Sequence, residues 1–460
     1  MTRLAAIAAL LVMSLSGCPS PSVLDLSVVL PEGPDPLDGV ERVRLRLQSP
    51  AVEEVLDVPA GGDGSFSIER TIEISGDGYN VSSVVLEGLR GSDVVARGET
   101  PPLILRPRDD AFSVLVTRAG AASTLAARWE QPTSAPAAAI VPSLGLLFAG
   151  GLDGAGQPSR RVALYDFFVH KSSALRELPE ARAGALAASC GGDCALVLLG
   201  RQAGGALAQT ILRYDGFSWS AIDDDLDASL RRADASMALL SDGRWLVVGG
   251  VDGSGTALDS LLRLDPGAPQ VSPRLQTLST GARAARAGPG VASIGDSVLV
   301  AGGQRPGDAL VELWDGELGR SEIVDLGAGA PEDGCAVAPL SDGRFVLIGG
   351  RNGDGTLSRD AWLIDPADRS AKRATDVLAE GRAGHHVALL GSDLVVLGGR
   401  TASGPSAKVE LISSDGFAPA GSTELATARG ATTVLRLAPG VLFVAGGDSP
   451  SERFEVLQSR

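Results

Sequence analysis

Three histidines, four cysteines and a set of arginines are the residues of this chain whose types and spacing could do chemistry. His385 and His386 are adjacent, so on a strand they point to opposite faces and do not converge on one metal. His170 stands alone. Cys190 and Cys194 sit in "SCGGDCAL", flanking Gly191, Gly192 and Asp193. Across a hairpin two such residues lie at a separation a disulfide can bridge, and the pair is expected to be oxidised. A CxxxC metal role would need a second ligand pair, which the sequence does not place nearby. Cys335, in "DGCAVAPL", is expected as a buried thiol acting as a small apolar residue. No metal or cofactor is expected. No nucleophile elbow, zinc motif or paired-carboxylate set stands out, so the chain is expected to be no enzyme.

The arginines carry the strongest pattern. Arg182, Arg232, Arg286, Arg382 and Arg429 each open a small-residue segment such as "ARAGALAAS" or "GRAGHHVALL". They are the candidate ligand-binding residues, with His385, at one mouth of a channel. Their alternative role is to bond carbonyls of a neighbouring sheet. Ser134 and Asp333 stand near the equivalent place in the two units that lack the Arg.

These segments belong to a repeat. An apolar run ending in Gly-Gly recurs, as in "WLVVGG" at Gly250 and "FVLIGG" at Gly350, with a degenerate copy "LVLLGR" that puts Gly200 in the first-Gly place. The first glycines are then Gly150, Gly200, Gly249, Gly302, Gly349, Gly398 and Gly446, spaced by 50, 49, 53, 47, 49 and 48 residues. A turn rich in Gly, Asp and Ser follows each pair, then a strand ending in Asp, such as "ALYD" or "ELWD". Continuous apolar runs bounded by turn chemistry suit buried strands. "DDDLDASLRRADASMALL" has helical spacing, but its phase in the repeat makes it a loop and an innermost strand. Seven units of this period resemble kelch repeats, which implies a seven-bladed kelch-type β-propeller over 119–460. "LAARW" (Leu125 to Trp129) precedes the first unit, and the last unit lacks a fourth strand. Leu125 to Trp129 is therefore expected to close the ring against the C-terminal strand.

Residues 23–118 show no such repeat. "LDLSVVL", "VERVRLRLQ", "GSFSIERTIEI", "NVSSVVLEGL" and "AFSVLVTR" alternate as strands, so an all-β chain with a small β-sandwich, Ig-like, ahead of the propeller is expected. Arg42, Arg44 and Arg46 fall on the wet face of the second strand, as a solvated stripe or an anion-binding one. "RAGAAST" is expected as a linker, and removal of everything up to about Gly120 as leaving a soluble propeller. Kelch propellers beside sandwich domains resemble galactose oxidase in architecture. Its copper takes two His and two Tyr, one cross-linked to Cys. Tyr165 and Tyr214 instead occupy the repeated strand position before Asp, so that chemistry is not expected.

Arg3, an apolar run over Leu4 to Met13 and "LSGC" describe an export signal. "LSGC" also resembles the lipobox of bacterial lipoproteins. The resemblance implies a signal over 1–17, lipidation at Cys18, a tether over 18–22 and residence in the bacterial cell envelope. Pro19 after the Cys favours the outer membrane in a cell with two. A net charge of −16 disfavours nucleic acid as a partner. The leading expectation is a monomeric, lipid-anchored scaffold that meets a protein or glycan partner through its propeller. The alternative is an exported carbohydrate-active enzyme.

Overall fold

The structure is a computed structural model that describes residues 9–13, 22–48, 51–57, 68–71, 81–104, 112–268, 274–303 and 311–460. Among them no helix occurs, and the chain is built from antiparallel sheets with a few parallel pairings. Cys18 and most of the 18–22 tether lie outside the described residues.

After the leading region, seven sheets follow one another in chain order. The first runs Ala137–Val141, Gly145–Ala149, Val162–Asp166 and Lys171–Ala174, from innermost to outermost strand. The innermost strands of all seven sheets line a single channel. This arrangement is a β-propeller, and each sheet is a blade. The segment of helical spacing lies in it as a turn and an innermost strand, Ser236–Leu239.

Why the Gly pair recurs is visible at Gly249 and Gly250. Both have positive φ, 64° and 99°, which L side chains rarely adopt. A Cβ on Gly249 would lie 2.2 Å from the carbonyl oxygen of Arg286 in the next blade. Gly250 N–H donates to that same carbonyl at 2.9 Å. The pair thus ends a strand and ties one blade to the next. In the degenerate copy the register differs by one from the sequence expectation. Leu199 holds the first-Gly conformation (φ 63°), and Gly200 the second (φ 88°), donating to the Arg232 carbonyl at 2.8 Å. Arg201 therefore stands in the place held by Arg351 and Arg400.

The ring closes as the strand surplus predicts. Ala122–Arg128 is the outermost strand of the last blade and pairs antiparallel with Arg453–Gln458. Pairing runs from Ala122 to Thr124, is interrupted by a bulge, and resumes at Arg128. Trp129 stacks on Phe454 at 6.2 Å between ring centroids.

The leading region has a sheet ordered Phe112–Leu115, Ser22–Val29, Ala9–Met13, Ile68–Thr71 and a five-stranded sheet centred on Val84–Arg90. Ala9–Met13 is part of the apolar run read as an export signal. Its removal would leave Ser22–Val29 paired with Phe112–Leu115 alone. In the five-stranded sheet the Arg stripe is neither free nor an anion site. Arg44 and Arg46 both pair with buried Glu87, which Arg97 also meets at 2.8 Å.

The expected linker is not one. Thr117–Arg118 is a strand of the five-stranded sheet, and the closing strand of the ring begins at Ala122. A single apolar cluster joins Val43, Leu45 and Val114 of the leading region to Phe148, Tyr165 and Phe443 of the propeller. Gln458 Nε2 donates to Leu115 O at 2.8 Å, and Ser113 N to Phe168 O at 2.8 Å. This shared core argues against the expected separable propeller, because burial of its apolar surface, at about 25 cal/mol per Å², favours keeping the two parts together.

Candidate functional site

The five repeated arginines do not face a ligand. Arg182, Arg232, Arg286 and Arg382 are wholly buried and Arg429 is 1% exposed. Each lies inside its blade. Arg286 donates to Gly302 O at 2.9 Å and to Glu312 Oε1 at 2.6 Å. The other oxygen of Glu312 accepts the backbone N–H of Arg283 at 2.6 Å. The same clamp recurs as Arg382 with Gly398 O, Glu410 and the Ala379 N–H. It recurs again as Arg429 with Gly446 O, Glu455 and the Ala426 N–H. Arg232 has only carbonyls and Ser260 for partners, and burial lowers its pKa to about 10. Arg182 pairs with Glu180 and Thr210. In the first unit Thr133, one residue before Ser134, makes the equivalent bond to Gly150 O at 2.7 Å. In the fifth the equivalent place falls to Glu332, one before Asp333. The partners Glu312, Glu410 and Glu455 escaped the sequence reading. Their signal is a charge inside an otherwise apolar strand, as in "VELW" and "FEVL".

His385 is buried, at 7% exposure, among the residues around the channel. Its ring is wedged between blades, 2.5 Å from where a Cβ on Gly349 would lie. Burial, then Arg382 and His386, push its pKa down to about 3. His386 is half-buried and borders the channel, its pKa lowered to about 4 by burial. The structure joins Cys190 to Cys194, with the Cα atoms 5.1 Å apart, at the end of a hairpin between the two inner strands of the second blade. Cys335 is buried.

What remains accessible is the channel and one mouth. The channel holds about 540 Å³ and is walled mainly by small and apolar residues such as Met237, Val291 and Val337, with Ser236, His386 and Thr433 as polar points. At the Gly-Gly end it opens into a basin of about 440 Å³. The rim turns are tied to one another: Asp234 N–H donates to Gly184 O at 3.0 Å, Gly288 N–H to Asp234 O at 2.7 Å, and Gly384 N–H to Gly334 O at 2.8 Å. Glycine holds this left-handed place in four blades, alanine in one, Ala135 (φ 44°), and aspartate in one, Asp234 (φ 55°). A side chain here projects from a backbone held by hydrogen bonds at the rim of the channel. A non-glycine in such a conformation is a place to look for function.

Asp234 and Asp333 supply the acids of the basin and Arg351 and Arg400 the bases, above a floor that includes Val251 and Ala287. Arg351 reaches Asp333 at only 3.5 Å with both side chains about half exposed, and Arg400 pairs with Asp448. Exposed pairs of this kind are worth about 0–1 kcal/mol. They can be exchanged for a ligand's charges at little cost. Burial raises the Asp234 pKa and the nearby Arg201 opposes it. Among the described residues no group of three or more His, Cys, Asp or Glu is placed to hold a metal ion.

No family model matches the chain. No curated protein matches it. Among solved structures, that of YjhT is similar, with 18% identity, a TM-score of 0.45, and coverage of 64% of this chain and 98% of its own. The propeller is defined here by the chain's own sheets.

Proposed function

We propose that the chain is an exported, lipid-anchored binding protein whose seven-bladed kelch-type propeller, fused to an Ig-like sandwich, holds a protein or glycan partner at the channel mouth. The observation that carries this reading is the basin of Arg351, Arg400, Asp234 and Asp333, charged, open and set on a hydrogen-bonded rim. Both signs of charge suit a partner that presents both, or a polyhydroxylated one that accepts from guanidinium and donates to carboxylate. The anchor rests on "LSGC" at Cys18 and places the protein in the cell envelope. The test is capture from intact cells, together with glycan arrays, using the whole chain and an Arg351→Ala/Arg400→Ala variant. Capture that the variant loses supports the mouth. Turnover of a sugar that one channel substitution abolishes supports the carbohydrate-active alternative.

A further inference from the structure

The seams between blades are not filled alike. The first and second blades match residue for residue along their third strands, Val162–Asp166 and Ile211–Tyr214. Tyr165 pairs with Ser172, and Tyr214 with Trp219. Ser172 therefore stands where the second blade has Trp219, and Ala163 stands where it has Leu212. In the second blade the indole fills the seam and donates from Nε1 to Arg176 O at 2.9 Å. At the closing seam, between the last blade and the first, those two large side chains are missing. A cavity of about 200 Å³ lies there.

Its chemistry is definite. Val162, Ala163 and Leu175, with the buried Trp129, form an apolar floor. Gln131, Arg161, Ser172, Ser173 and Glu130 stand around it. Among the described residues, the side chains of these five make no hydrogen bond to the protein. The other charges at the rim are already matched, Arg128 by Glu32 and Glu177 by Arg160. Arg161 and Glu130 balance one another, so the pocket as a whole is neutral. It is smaller than the roughly 300–1,000 Å³ of drug-sized sites and holds about six or seven waters' worth of volume, at ~30 Å³ each.

We infer that this seam is a subsite for one neutral sugar ring. A pyranose has an apolar C–H face for the floor and hydroxyl groups that both donate and accept. The rim offers acceptors at Glu130 and donors at Arg161, with Gln131, Ser172 and Ser173 supplying both. A charged ligand finds no net field here, and an aromatic one leaves the rim groups without partners. The subsite lies on the outer strands, away from the mouth, and stands whether or not the mouth binds.

The test uses the whole chain with free glucose, galactose and N-acetylglucosamine in saturation-transfer NMR. Transfer to at least one of them is expected. Ser172→Trp, which restores the second blade's filling, should weaken it by at least about tenfold, and Arg161→Ala should weaken it several-fold. Transfer is measured in the Arg351→Ala/Arg400→Ala background, which removes any contribution from the mouth, and Arg320→Ala, outside both sites, should leave it unchanged. If Ser172→Trp does not fold, Arg161→Ala decides. Silence from all three sugars overturns the inference, as does a signal that survives the substitutions in a protein of native melting temperature.

Discussion

Arg382 and Arg400 belong to the same blade and have opposite fates. Arg382 is wholly buried, bonded to Gly398 O and Lys408 O and paired with Glu410. Arg400 is more than half exposed at the mouth, its partner a single accessible aspartate. The first recurs in five blades. The second falls at a position that is Arg, Val, Leu, Gln or Asp around the ring. Repetition marks what every blade needs to fold, and departure from it marks what the molecule can use. Buried charge is held only where it is paired and hydrogen-bonded. Exposed charge is exchangeable.

The largest expected effect comes from the fused core. Deleting residues up to Gly120 strips cover from Tyr165, Phe167 and Phe443 and removes the Ser113 carbonyl from His170 and the Leu115 carbonyl from Gln458. Such a chain should aggregate on expression, as measured by size-exclusion chromatography. A monodisperse propeller would break the claim that the two parts share one core.

Next is the clamp itself. Arg286→Met leaves Glu312 buried without its cation and should cost about 3–5 kcal/mol in urea unfolding. Arg286→Met/Glu312→Leu should recover most of the loss, because the pair is then replaced by apolar volume. A double variant no more stable than the single one would show that the clamp acts through something other than its charges.

A smaller effect follows from the histidines. Burial lowers the pKa of His170 and His386 to about 4 and of His385 to about 3, against about 6.5 when unfolded. Between those values the unfolded chain binds more protons, so stability rises with pH in that window. It is full above about pH 6.5 and falls as the pH drops towards 4, by at most about 1.4 kcal/mol per pH unit per histidine. Urea midpoints at a series of pH values check this, and His386→Asn should remove roughly a third of the slope. The smallest expected effect on stability is at the mouth, where Arg351→Ala should change unfolding by no more than about 0.5 kcal/mol.

The sequence carried the propeller because its devices are local. Gly pairs at positive φ, Asp residues that cap turns and apolar runs are legible without tertiary context. Asp215, for instance, accepts the N–H groups of Phe217 and Ser218 at 2.9 and 2.7 Å. The closing strand was legible because one unit had a strand too few. Leu199 was misplaced by one because nothing local announces a leucine in a glycine's conformation. Ala51–Asp57 and Asp93–Glu99 were missed, since their charges break the alternation that marks a strand. The mouth and the seam pocket depend on which loops and outer strands converge in space, and only the assembled ring shows that.

Equilibrium urea unfolding of Arg382→Met beside Arg351→Ala/Arg400→Ala tests the division between the two sets of arginines most directly. The account predicts a loss of about 3–5 kcal/mol for the first and of no more than about 1 kcal/mol for the second. Equal losses, or a larger loss at the mouth, would contradict it.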